Sequence, residues 1–446
     1  MTESRKSPEL AGPVASGSVF VYGANVVDVA DGKVLTGRNV LVERDRITAV
    51  GRFEAPAGVS VLDARGRFLI PGLWDMHVHG FDEAYLPAFL GNGVTGVRQM
   101  AGAPVHADWR RRLAAGEVFG PRMVFGSRII DGPRPSRPGS IAVTTPADAR
   151  AAVTTCVGER AEFLKVYSQL PRDAYFALLA EAELAGIDVV GHVPFEVPVL
   201  AAAQRGIEHL DGVLVGASSE REELTAGFAG LDAGDPAGMF GRLSELTHRA
   251  AGTTDPARLA ELRDSFLANG TWHVPTLAVH QAKATMGTPE FALRPYLAHI
   301  EPVLRQGWAR AADWRSPDPA AEQRLFERYL EVTGELHRAG VPLLAGSDTF
   351  VPGFSLHDEL ELLVRAGLSP AAALRAATLD PARFLGVTDR FGAVAPGRIA
   401  DLVVLEDNPL ADIAHTRRVA AVLFGGMVLS SPAVLAAAPA DRPAAR

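Results

Sequence analysis

From Ser18 the chain alternates apolar and polar residues in short runs: SVFVYGANVVDV, then VLTGRNVLVERDRITAVG, ending at VLDARGRFLIPG. A period of two is the signature of half-buried strands. Asp31-Gly32 between two such runs predicts a hairpin turn. After Pro71 the texture changes. Near-continuous apolar runs now alternate with Ala/Leu/Glu/Arg-rich amphipathic stretches such as PRDAYFALLAEAELAG. The apolar runs are LWDMHVH, TGVRQMA, RMVFGSRII, EFLKVYS, DVVGHV, IEHLDG, TWHVPTLA and VPLLAGSDT. Buried parallel strands read in this way, and eight of them with helical crossovers predict an α/β fold, a (β/α)8 TIM-type barrel. Residues 213–270 and 280–340 are long connections expected to hold extra helices.

Strand texture returns near Phe391, in FGAVAPGRIADLVVLEDNP and RRVAAVLFGGMVLS. Two β-rich ends around one barrel are expected to combine. The organisation read from the pattern is a tail over 1–17, a small composite β-sandwich domain from 18–70 plus 393–430, a barrel over 71–392, and a second tail over 431–446.

Composition narrows the class. A chain of 446 residues suits one large catalytic domain and a smaller one. Its net charge of −8 offers no basic face to a nucleic acid or an anionic membrane. The lone Cys156 lies in an apolar helical pattern and reads as a buried structural cysteine. The first residues lack the apolar core of a signal peptide, and no run approaches the roughly 18 apolar residues of a membrane span. The expectation is a cytoplasmic enzyme acting on a small molecule, with a homo-oligomer as an open option.

The candidate chemistry lies at the ends of the predicted strands. His77 and His79 in PGLWDMHVHG are two residues apart, so a strand points both to one face. Two converging imidazoles form a metal platform. Lys165 in EFLKVYS is one of only four lysines, in a chain that otherwise uses arginine for positive charge. One reading is a buried ion pair with a carboxylate. The other is a carbamate made from CO2, an anionic ligand able to bridge two metals, which arginine cannot form because it stays protonated. His192 in DVVGHVPF and His209 in GIEHLDG end consecutive strands. Asp348 ends the eighth strand in AGSDT, at the rim where active sites of this fold lie; the competing role is a helix N-cap. Taken in order, the His-x-His pair, Lys165, His192, His209 and Asp348 favour the carbamate for Lys165.

These segments, PGLWDMHVHG, LKVYS, VVGHV, IEHLDG and AGSDT, with TLDPARFLG and GAVAPGRIADLVVLEDNPL after them, resemble the amidohydrolase superfamily. The likeness runs over about residues 18–430 and is strongest to the branch of imidazolonepropionase-like hydrolases and Xaa-Pro dipeptidases. The resemblance implies two divalent metal ions, zinc in most relatives. His77 and His79 would hold the first, His192 and His209 the second. Carbamylated Lys165 would bridge them, and Asp348 would touch the first metal and act as the catalytic proton shuttle. The implied reaction is hydrolysis of a carbon–nitrogen, amide-type bond by a metal-bridging hydroxide, with dipeptide cleavage as one variant.

Dipeptidases of the branch carry a His-Gly in the loop after the third strand. Here that loop reads SRIIDGPRPSRPGS and has no histidine. Its Arg128, Arg134 and Arg137 are candidates for binding a substrate carboxylate, with Tyr167 and His273 as further rim candidates. A deaminase-type or non-hydrolytic reaction on the same site is the alternative, although superfamily deaminases use one metal and typically lack the bridging lysine. A scaffold without activity is a third reading, disfavoured because every expected ligand position is filled.

Overall fold

The computed structural model describes residues 17–438 except 81, 233, 293–295, 297–298, 301–306, 308–315, 317 and 349–350, together with residues 8, 10 and 14. It begins with five strands: β1 (Ser18–Asp28), β2 (Lys33–Glu43), β3 (Arg46–Gly51), β4 (Ser60–Asp63) and β5 (Phe68–Pro71). Nine more follow: β6 (Leu73–Val78), β7 (Val94–Gln99), β8 (Arg122–Phe125), β9 (Ile130–Asp131), β10 (Ile141–Ala142), β11 (Phe163–Val166), β12 (Asp188–Gly191), β13 (Gly206–Glu208) and β14 (Trp272–Val274). The last are β15 (Leu402–Leu405), β16 (Val419–Phe424) and β17 (Met427–Ser430).

Strands from both ends of the chain form one mixed sheet in the order β17-β16-β15-β5-β1-β2-β3, with β4 added beside the first half of β1. The alternation seen in the sequence puts Val19, Val21, Val26, Val40, Val42, Leu69, Leu402 and Val404 into one apolar core. The sheet rolls onto itself to enclose that core. Ile47 N–H donates to the Arg398 carbonyl (2.9 Å) and Ala400 N–H to the Asp45 carbonyl (2.7 Å), which joins β3 to the segment entering β15. The chain then passes from sheet to barrel through Gly72 alone. A Cβ there would lie 2.0 Å from the Thr95 hydroxyl, so only glycine fits.

The barrel runs β6-β7-β8, then by a bridge from Gly126 to Phe163 into β11-β12-β13-β14, all parallel. His273 bridges to Leu343, and Met76 N–H donates to the Ala345 carbonyl (2.9 Å), which closes the ring through the eighth strand position. All eight apolar runs read as strands occupy these positions. Trp74, Met76, Val124, Phe163, Val190, Val274 and Leu344 fill the interior. A second apolar layer, including Leu164, Ile207, Phe266 and Leu336, lies between strands and helices.

The 213–270 connection holds four helices: Val213–Ala217, Arg221–Ala229, Pro236–Gly252 and Pro256–Asn269. The later connection ends in the Pro319–Arg338 helix, while much of 293–317 falls outside the described residues. Within the stretch read as a terminal tail, Ser431–Ala437 forms a helix, and the Ser431 hydroxyl donates to the Gly91 carbonyl (2.5 Å). Most of 1–17 lies outside the described residues; Leu10 packs with the barrel interior. Among the described residues no helix is long and apolar enough to cross a membrane.

Candidate metal centre

His77 and His79 leave the end of β6 on the same side. Their Nε2 atoms are 3.3 Å apart. His77 is fully buried, and its Nδ1 lies 2.7 Å from Glu208 Oε2. The other oxygen of Glu208 accepts from Arg98 Nη2 at 2.7 Å, wholly inside the barrel. Burial would raise this carboxyl, but Arg98 and His77 hold it well below the usual carboxylate range. An ionised Glu208 only accepts, so His77 Nδ1–H donates to it. That leaves the Nε2 lone pair facing outward, as a metal ligand requires.

Asp348 stands at the end of the eighth strand, where its N–H donates to the His77 carbonyl (2.8 Å). Its Oδ1 is 3.1 Å from His79 Nε2 and 3.5 Å from His77 Nε2. Burial alone would raise its pKa, yet His77, His79 and Lys165 keep it below the normal range. Asp75 sets this turn from behind. It accepts from Ser347 Oγ (2.5 Å), Ser347 N–H (2.9 Å) and His77 N–H (3.2 Å). Its own pKa is pushed up to about 7 by burial.

His209 ends β13. Its Nδ1 meets Thr276 Oγ1 at 2.7 Å and lies 3.9 Å from Asp348 Oδ2, while its ring sits 4.7 Å from that of His77. Ligand atoms of His77, His209 and Asp348 all lie within 4.8 Å of one another, a group suited to a divalent ion. The backbone is strained around it. His209 (φ 60), Leu210 (φ 55), Thr276 (φ 49) and Asp348 (φ 51) are four of the six described non-glycine residues in the left-handed region, a conformation that costs roughly 1 kcal/mol or more each. His79 and Asp348 stay 25% and 22% exposed, so the group is open to solvent on one side.

Lys165 is buried on β11, and no carboxylate lies within salt-bridge distance of it among the described residues. Its amine instead lies 5.9 Å from the centre of the Tyr167 ring. Burial lowers its pKa to about 8, against the opposing pull of Glu208 and Asp348. His192, at the end of β12, stacks on Tyr167 (3.9 Å) and stands 5.0 Å from the His209 ring. Its Nδ1 contacts Ser168 Oγ (2.6 Å) and Asp211 Oδ2 (3.1 Å). Burial holds both His192 and His209 well below the usual imidazole range, hence neutral and able to ligate.

The structure thus brings His77, His79, His209 and Asp348 together, with Lys165, His192 and Tyr167 beside them. The arginines separate. Only Arg137 turns to the site, donating from Nε to the Tyr167 hydroxyl (3.4 Å). Arg128 is corrected to a surface pair with Glu159 (2.8 Å), while Arg134 pairs with Asp232 (2.9 Å) and lines the cavity beside Ser168. His273 is also corrected. It shares register with Ile207, so it faces the helix layer, where its ring meets Phe266 at 4.4 Å. Glu208, Arg98, Asp75, Ser347 and Thr276 escaped the sequence reading. Glu208 and Ser347 directly precede ligand candidates, which is the one signal that could have found them.

The description "Amidohydrolase family" fits residues 309–429. Over most of its length the chain is similar to a bottromycin amidohydrolase structure (26% identity, 94% of this chain and 88% of that one, TM-score 0.72). It is also similar to a Xaa-Pro dipeptidase structure with bound methionine in its active site (18% identity, 93% and 100%, TM-score 0.68). Among curated proteins it matches "Adenine deaminase 2" of Rhizobium meliloti (28% identity, 94% of this chain, 59% of the relative). The chain spans little more than half the length of that relative and of the other adenine deaminases it matches over most of its own length. Read with the strand-end histidines and aspartate, these likenesses are to proteins of the amidohydrolase superfamily.

Proposed function

We propose that this protein is a metal-dependent hydrolase that cleaves a carbon–nitrogen, amide-type bond of a small molecule. The observation that carries the reading is the convergence of His77, His209 and Asp348, with His79 alongside, on the solvent side of the barrel rim. The donor set, imidazoles plus a carboxylate, suits zinc. In this reading His77 and His79 would hold one ion and His192 and His209 a second, and a carbamate on Lys165 would supply an anionic ligand between them. Support for the carbamate comes from the buried amine without a carboxylate partner and from its depressed pKa, since only the neutral amine reacts with CO2. The ions would lower the pKa of a bound water to about 7 and polarise a carbonyl.

The remaining steps belong to the chain's own residues. Asp348, ionised at neutral pH, accepts the proton of the attacking water and passes it to the leaving nitrogen. Arg137 and the Tyr167 hydroxyl offer donors to a polar or anionic group of the substrate. Beside them, Ser168 also lines a cavity of about 180 Å³ whose wall mixes Phe195, Phe228 and Leu231 with Arg134, Gln169 and Glu196, which suits a substituent carrying both apolar and polar groups.

A deaminase-type reaction is the second reading, favoured by the names of the curated relatives. Metal content separates the two. About two ions per chain, lost in Lys165→Ala, with turnover of N-acyl amino acids, dipeptides or aryl ureas, supports the hydrolase. One ion indifferent to that substitution, with ammonia released from adenine, supports the deaminase. No metal after metal-replete expression overturns both and leaves a scaffold.

A further inference from the structure

The residues behind His209 come from far along the chain, and they form one connected unit. Glu359, fully buried on the Phe354–Arg365 helix, accepts from the Ala278 N–H at 2.7 Å. Ala278 lies in the first turn of the Leu277–Thr285 helix, so the Glu359 carboxyl group satisfies a backbone N–H at the start of that helix. Thr276, the residue before the helix, is held in the left-handed conformation and carries its hydroxyl to His209 Nδ1 (2.7 Å). One turn into the same helix, His280 Nε2 lies 3.2 Å from the His209 carbonyl. A carbonyl only accepts, so His280 donates there from Nε2–H. The far face of the His280 ring stacks on Tyr329 (3.7 Å), which fixes its plane.

We propose that the Leu277–Thr285 helix is a positioning clamp on His209, with Thr276 as its grip and Glu359 as its anchor. The proposal rests on the reading that His209 holds a metal ion. His209 is gripped twice, by side chain and by backbone, at a residue whose own φ is 60. Its N–H also donates to the Val274 carbonyl of β14 (2.8 Å), which fixes the backbone but not the ring. With Nδ1–H donating to Thr276, the lone pair sits on Nε2, and the ring plane is set by the helix rather than by β13. Thr276 and Glu359 touch no reacting atom; their effect runs through the orientation of His209. Ligand-orienting partners of this kind typically change metal affinity by about 10–100-fold.

The test measures metal binding, not turnover. Purified wild type, Thr276→Val, Thr276→Ser, Glu359→Leu and the Thr276→Val/Glu359→Leu double variant are stripped and titrated with Zn2+ against a chelator. The visible absorption of the Co2+-loaded forms reports ligand geometry. Thr276→Val keeps the side-chain shape and should bind about 10–100-fold more weakly, with an altered Co2+ spectrum, while Thr276→Ser restores both. The double variant should be no weaker than the worse single one, because both changes act through one clamp. Wild-type affinity in Thr276→Val, failure of Thr276→Ser to rescue, or fully additive losses would overturn the clamp while leaving the metal site standing. A wild type that takes up no metal overturns the clamp and the metal reading together. Should Glu359→Leu not fold, the two Thr276 variants decide alone.

Discussion

At the N-terminal end of the barrel, Arg122 opens β8 and forms a buried two-pronged pair with Asp401 of the rolled sheet (2.6 and 3.2 Å), while its remaining nitrogen donates to the Leu10 carbonyl. At the C-terminal end, Asp348, Asp75, His77 and His209 crowd into a space with strained backbone and displaced pKa values. Both ends bury an aspartate. At the first, each charge meets its opposite and each donor its acceptor, so the pair ties two domains and does nothing else. At the second, ring nitrogens and carboxylate oxygens converge, with His77 Nε2 3.3 Å from His79 Nε2 and Asp348 Oδ1 within 3.5 Å of both. An arrangement of that kind is costly without a cation. It is the mark of a site held ready by the surrounding fold.

The contrast can be broken at either end. Asp348→Asn removes the proton acceptor and should lower kcat/KM by about 10²–10⁴-fold with little change in melting temperature, as steady-state kinetics and thermal melts would reveal. Arg122→Met should do the reverse. Leaving Asp401 buried and uncompensated should cost about 3–5 kcal/mol of stability in denaturant unfolding, with metal content per folded chain unchanged. A loss of metal in Arg122→Met would erase the distinction between the two ends.

Glu208→Gln sharpens the comparison, because its pair with Arg98 is as buried as the Arg122 pair yet touches His77. It should weaken metal binding by about 10–100-fold, read by chelator competition. The smallest effect concerns His273, a histidine of the helix layer whose pKa burial drives down to about 3. The unfolded chain protonates this side chain near pH 6.5, whereas the folded one does not until far lower. Stability is therefore lost as pH falls through that window, by up to about 1.4 kcal/mol per pH unit. His273→Leu should flatten the acid limb of the stability curve between pH 6.5 and 5 and leave metal binding alone. An unchanged acid limb would mean that His273 is protonated in the folded state.

The rim residues divide by how their neighbours are encoded. The His77–His79 spacing, the strand-final His192 and His209, and Asp348 after a run of small residues were legible because each depends on local periodicity alone. His273 was misread because its strand is apolar on both faces, and nothing in TWHVPT says which face turns inward. The register with Ile207 says so. The loop arginines were equally ambiguous in sequence. Two of the three found partners on neighbouring surface elements, Glu159 and Asp232.

The sequence by itself therefore determined the eight strand positions of the barrel, the joining of the two β-rich ends and the order of the candidate ligands, since apolar spacing dictates which segments can bury a face. Only the tertiary structure decided what stands behind those ligands. Glu208 reaches His77 across 131 residues, Ser347 reaches Asp75 across 272, and Thr276 reaches His209 across 67. No local pattern encodes such contacts. They exist because closing the barrel brings distant strand ends onto one rim, and there each buried polar atom must find a partner.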